Sequence, residues 1–247
     1  MRSPLSSEKV NHRMQTDHSL YRTSVYPLAI FMAFSILLGF GGDAVRWEHP
    51  EAAWWQQAPE MALYPLQTIV CAWWLWHVRK ETEWDWALKP CLLAIPFGLL
   101  GIGLWMIPYF AEWIPDEGNG FMPEKVFGTD SWLTMAEYAM RFARAAVVVP
   151  LVEELFWRGF LMRWCVNRDF PQNVAIGTHS WLGYAVTSLA FMLIHNPADW
   201  GGAFLYGSLT YFLVVKTKRI TPAIIMHAVA NGTMGICAIY FNLPHLW

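Results

Sequence analysis

Charged residues are scarce in this chain. Asp, Glu, Lys and Arg together make up 15% of its 247 residues, against roughly a quarter in an average soluble domain, which excludes an ordinary water-facing globule. The basic residues fall in short clusters between apolar runs and the formal net charge is −2, so no basic face is broad enough to follow a nucleic acid backbone. Cysteine is almost as rare. Cys71, Cys91, Cys165 and Cys237 show no CxxC spacing and no Cys/His cluster, which leaves them as buried, reduced spectators. No Ser/Gly/Pro-rich linker, low-complexity block or internal repeat divides the sequence, and it reads as one domain.

What the chain has in quantity is apolar surface: 55% of it is hydrophobic and 16% aromatic. Stretches free of Asp, Glu, Lys and Arg recur at 24–40, 61–76, 90–111, 170–198, 200–215 and 220–247, each holding most of a bilayer-crossing helix of about 20 residues. A further apolar region from Leu133 to Trp164 carries charges and is taken as a helix that enters amphipathically. The expected fold is all-α, a polytopic transmembrane bundle of about seven spans. A polar cytoplasmic tail over 1–23 precedes a single integral membrane domain over 24–247. A secretory signal is not expected, because Gly39-Phe40-Gly41-Gly42-Asp43 is a poor cleavage site.

Lys and Arg concentrate in the tail, the 78–89 loop and the 163–169 and 216–219 turns, and are sparse at 41–60, 112–134 and 196–199. This places the N-terminus in the cytoplasm and the C-terminus outside, as in a bacterial inner (plasma) membrane. Arg141 and Arg144, at the outer end of the fourth helix, run against that assignment unless they snorkel or pair inside the bundle. Many of the sixteen tryptophans, among them Trp54, Trp55, Trp84, Trp86, Trp113, Trp132, Trp181 and Trp200, fall near span ends and read as an aromatic belt.

Two adjacent carboxylates inside a membrane helix need an explanation, since each costs about 2.5–3.5 kcal/mol there on insertion scales. In Val152-Glu153-Glu154-Leu155-Phe156-Trp157-Arg158 a helix sets Glu154 and Arg158 on one stripe, while Glu153 points about 100° away. Arg158 thus neutralises one acid and leaves the other free. Pro150 either kinks this helix and frees a carbonyl near the site or is a proline the membrane tolerates. Elsewhere Phe191-Met192-Leu193-Ile194-His195 ends a span with a histidine, and His227 and Asn231 lie one turn apart on the last helix. A base, a second proton handler and hydrogen-bond donors on three helices are what attack of water on an amide requires. The other histidines, His12, His18, His49, His77, His179 and His245, fall in tails, loops or span ends.

These three segments resemble the motifs EExxxR, FxxxH and HxxxN of the CPBP intramembrane proteases, in that order and over residues 135–241. That family includes the CAAX prenyl endopeptidases of the Rce1 type, and the Trp-rich N-terminal half looks like the bacterial CAAX-protease-related proteins that accompany exosortase systems. The resemblance implies an intramembrane endopeptidase cutting a membrane-tethered or lipidated peptide. Glu153 would activate water beside His195, His227 and Asn231 would hold the oxyanion, and Glu154 with Arg158 would brace the site. No cofactor is favoured. Zinc is the alternative, with Glu153, His195 and His227 as ligands in a metalloendopeptidase-like site, against which stand the absence of HExxH and the nearby Arg158.

A non-catalytic scaffold and a proton-coupled transporter using the same Glu and His groups remain as rivals. Depth is the sharpest test of a shared site. If the fifth span begins at Trp181, simple placement separates His195 and His227 by ~13 Å. Shared chemistry therefore expects that helix to start in the interface or to tilt, bringing both histidines to within roughly 6 Å of Glu153, with Gly183, Thr187 and Ser188 allowing close approach.

Overall fold

The computed structural model describes residues 18–47, 49–82, 84–114 and 120–246; the tail expected over 1–23 lies outside them as far as residue 17, as does His12. The described residues contain no strand and seven long helices. These are α1 (His18–Gly42), α2 (Pro59–Val78), α3 (Leu88–Phe110), a composite α4 over 132–164, α5 (Trp181–Leu193), α6 (Trp200–Thr217) and α7 (Thr221–Tyr240). By length and composition α1, α3 and α7 can cross a membrane. The chain is an integral membrane protein, and about seven spans is more than these criteria support. α4 carries charges, α6 mixes Tyr, Ser, Thr and Lys216 among its apolar residues, and α5 has 13 residues, about 20 Å of helix.

Within the charge-free stretch 170–198 the helix begins at Trp181, as supposed, and occupies only Trp181–Leu193. Absence of charge does not make a helix where turn formers intervene. Pro171 opens a short 3-10 turn, Gly177 adopts a positive φ of 74°, and Ser180 starts α5 by accepting from the Gly183 amide. A Cβ at Gly177 would also lie 2.5 Å from the Val214 carbonyl oxygen. The last run is likewise interrupted: α7 ends at Tyr240, Asn242 takes φ 51°, and Pro244–Leu246 forms a final 3-10 turn.

Helix α3 packs along both α7 and α6, α5 pairs with α6, and α4 lies against α1, α2 and α7. Close approach depends on missing side chains. A Cβ at Gly98 would lie 2.6 Å from the Met226 carbonyl oxygen and one at Gly101 would lie 2.7 Å from the Tyr206 ring, so α3 meets its neighbours nearly backbone to side chain. Gly183, Thr187 and Ser188 are buried as expected, and a Cβ at Gly183 would stand 3.5 Å from the Met162 carbonyl oxygen of α4.

Both arginines that ran against the charge pattern are held inside the bundle. Arg144 Nε donates to Gln67 Oε1 at 2.6 Å, and Gln67 Nε2 donates to the Phe31 carbonyl at 2.8 Å, which ties α4, α2 and α1 together. The Arg144 guanidinium lies over the Phe31 and Tyr64 rings, and that of Arg141 over Tyr64 and Phe121, stabilising contacts for a cation away from water. Trp113, Trp132 and Trp181 are more than 70% exposed, as an interfacial belt requires, whereas Trp84 is half-buried and stacks on Trp86 at 5.8 Å. Cys71 and Cys165 are buried, Cys91 and Cys237 half-buried, and all four are free.

Candidate active site

α4 is not a uniform helix. Two wide π-helical segments, Arg144–Val148 and Leu155–Leu161, flank the α-helical turns that hold Glu153 and Glu154, an arrangement that recurs at functional positions in helices. The first segment follows from the sequence. Within it the Val149 N–H reaches back five residues to the Arg144 carbonyl. By the same register the Ala145 carbonyl faces position 150, where proline has no N–H to give. Asn231 supplies the missing donor, its Nδ2 lying 2.8 Å from that carbonyl. Pro150 therefore does free a carbonyl beside the site, and α7 caps it.

The two glutamates part company as their spacing implies. Glu154 is fully buried, and Arg158 Nη1 lies 3.1 Å from its carboxylate. Arg158 also donates through Nη2 to the Gly207 carbonyl of α6 at 3.2 Å. Glu154 Oε1 accepts in addition from His227 Nδ1 at 2.9 Å. Because that carboxylate is already paired with arginine and only accepts, the proton sits on Nδ1 and Nε2 is the ring's remaining nitrogen. Glu153 has no such partner. Its Oε2 receives one long contact of 3.4 Å from Trp157 Nε1, while Arg144, nine residues earlier, acts on it at longer range.

Glu153, His195, His227 and Asn231 line one cavity of about 270 Å³, from which Glu154 and Arg158 are absent. α5 does begin at Trp181 and His195 sits two residues past its end, yet both histidines reach the same cavity. Phe191 stands between the two histidines, its ring centroid 4.6 Å from that of His195 and 6.3 Å from that of His227. His195 Nδ1 meets the Phe191 carbonyl at 2.7 Å, an acceptor, so in the neutral ring Nε2 carries the free lone pair. The sequence-based assignment of His227 and Asn231 as plain oxyanion donors needs refinement, since each spends one donor inside the protein.

Among the described residues no group of three or more His, Cys, Asp or Glu side chains is placed to hold a metal ion. Glu153, His195 and His227 share the cavity without forming a preassembled ligand set, so the metalloendopeptidase-like description does not fit these residues as they stand.

Sequence reasoning missed a polar cluster in the cavity wall. Asp199 lines it together with Trp105 and Tyr109 of α3, whose Nε1 and hydroxyl both donate to Asp199 Oδ1, at 2.8 and 2.7 Å. The available signal was an acid four residues after His195, immediately before α6. Neither the curated proteins nor the solved structures compared with the chain gave a match. Residues 135–233 match the family model for the type II CAAX prenyl endopeptidase, Rce1-like, a stretch covering two fifths of the chain and all seven residues carried by the three motifs. With EExxxR, FxxxH and HxxxN brought together around one buried cluster and one cavity, the match of residues 135–233 to the Rce1-like model supports assigning this region to the CPBP/CAAX protease family.

Proposed function

We propose that the protein is an intramembrane endopeptidase that hydrolyses a membrane-tethered or lipidated peptide, with Glu153 as the base. The observation that carries this reading is the unequal fate of adjacent carboxylates: Glu154 locked by Arg158 and His227, Glu153 left in a cavity beside His195. Glu153 takes a proton from water as the hydroxide oxygen bonds to the scissile carbonyl carbon. The carbonyl's π electrons move onto oxygen, where the second N–H of Asn231 and, in the imidazolium form, the Nε2–H of His227 meet the charge. The proton on Glu153 then passes to the amide nitrogen as the C–N bond breaks. His195 positions the water through Nε2. The chemistry is metal-free on this reading.

A scaffold would satisfy its polar groups separately in a dry interface, and Glu153 is not satisfied in that way. The seven long helices all lie in the bilayer in this proposal, of a bacterial inner membrane, with the N-terminus cytoplasmic and the C-terminus outside.

The test is a peptide-cleavage assay on the purified protein in lipid nanodiscs. Glu153→Gln keeps the size of the side chain and removes the base, and is expected to lower kcat at least about a hundredfold with the protein still folded. Full activity of that variant removes the base assignment. Prolonged treatment with a strong chelator should leave wild-type activity in place; loss of activity with stoichiometric loss of zinc, and recovery on its return, replaces the metal-free mechanism.

A further inference from the structure

The cavity wall holds a carboxylate that the hydrolytic chemistry does not use. Asp199 is half-buried, and its Oδ1 is doubly occupied by Trp105 Nε1 and Tyr109 Oη, which fixes the carboxyl plane and leaves Oδ2 without a protein donor among the described residues. No ion pair among the described residues involves Asp199. Of the other acids nearby, Glu154 is paired with Arg158, and Glu153 is the base itself, with no ion pair among the described residues. No Lys or Arg among the described residues lines the cavity, so the charge of Asp199 has no cation beside it. Around it stand the aromatic rings of Trp105, Tyr109 and Tyr206, and a carboxylate within aromatic walls is a chemical environment that selects cations. Depth agrees with this. Trp105 is five residues from the end of α3 at Phe110, about 7.5 Å along the axis, so a charged side chain can reach Asp199 from the water side with its stem in the cavity.

We infer that Asp199, framed by Trp105 and Tyr109, is a specificity-determining subsite for a lysine or arginine side chain flanking the scissile bond of the substrate. The inference rests on the endopeptidase reading for its meaning but not for its measurement. A substrate whose free C-terminal carboxylate enters this part of the cavity is disfavoured by the same charge.

The probe is a set of palmitoylated fluorogenic peptides that differ at one position, carrying Lys, norleucine or Glu. Binding is read by fluorescence anisotropy on the Glu153→Gln protein in nanodiscs, and cleavage on the wild type. Some Lys peptide should bind and be cut about tenfold better than its norleucine counterpart, with the Glu peptide weakest. In Asp199→Asn, which keeps the oxygen that accepts from Trp105 and Tyr109, the ratio should fall towards one; Asp199→Glu should restore part of it, and Asp199→Lys should favour the Glu peptide. Cleavage without charge preference, or a preference that survives Asp199→Asn, overturns the subsite and leaves the protease reading intact. Asp199-dependent binding of Lys peptides with no cleavage at any position keeps the subsite and removes the protease reading. Absence of any Asp199-dependent binding overturns the subsite.

Discussion

Glu153 and Glu154 share chemistry and chain position yet face opposite demands. Removing Glu154 strands a guanidinium that is 1% exposed and takes the acceptor from His227 Nδ1. Glu154→Ala is therefore expected to cost about 3–5 kcal/mol of stability, although the Gly207 carbonyl still accepts one Arg158 bond. Glu153→Gln, which disturbs only the long Trp157 contact, should melt close to the wild type. Thermal unfolding of both variants in one detergent checks the pair, and equal losses would show that the two carboxylates do not divide the work. This division is legible in the sequence because a helix fixes which glutamate an arginine four residues on can reach. Asp199 is not legible in the same way. Its partners lie some 90 residues earlier on α3, and only tertiary packing brings them together.

At the level of elements, the least legible feature is the wide turn in α4. Periodicity locates a helix there, but a change from four- to five-residue hydrogen bonding leaves no trace in an apolar pattern. Pro150 is the one local sign, and it was compatible with two readings. The structure ties it to Asn231 through the Ala145 carbonyl, and this coupling is measurable. Asn231→Ala leaves that acceptor unpaired, whereas Pro150→Ala provides an N–H that can fill it. In a double-mutant cycle the cost of Asn231→Ala should be smaller in the Pro150→Ala background, by about 0.5–1.5 kcal/mol. Additive costs would mean that the proline and the asparagine act independently. For α5 the start at Trp181 was legible, and the end was not: charge-free composition runs on to 198 while the helix stops at Leu193.

For the whole molecule, hydrophobic runs find every long helix but not how many cross the bilayer, since length, tilt and interruption are set by packing. The proposed orientation rests on Lys and Arg in alternate connections, with Arg141 and Arg144 accounted for by aromatic and amide partners inside the bundle. Fusion of alkaline phosphatase to the C-terminus should give active enzyme in bacterial cells, while the same fusion in the 78–88 loop should not. The opposite pattern would invert the molecule and place the Asp199 end of the cavity in the cytoplasm.

The wide turn at Arg144–Val148 is clamped from two sides, by Gln67 of α2 through Arg144 and by Asn231 of α7 through Ala145. A π turn is one surplus residue in a helix, and such a surplus can travel. Were it to slide past Glu154, every residue it crossed would step back one place around the axis: Glu153 would inherit the berth beside His227, and Val152 would face the cavity. The same sequence would then have a paired acid and an inert wall. What α2 and α7 hold in place is thus the identity of the residue that meets the water.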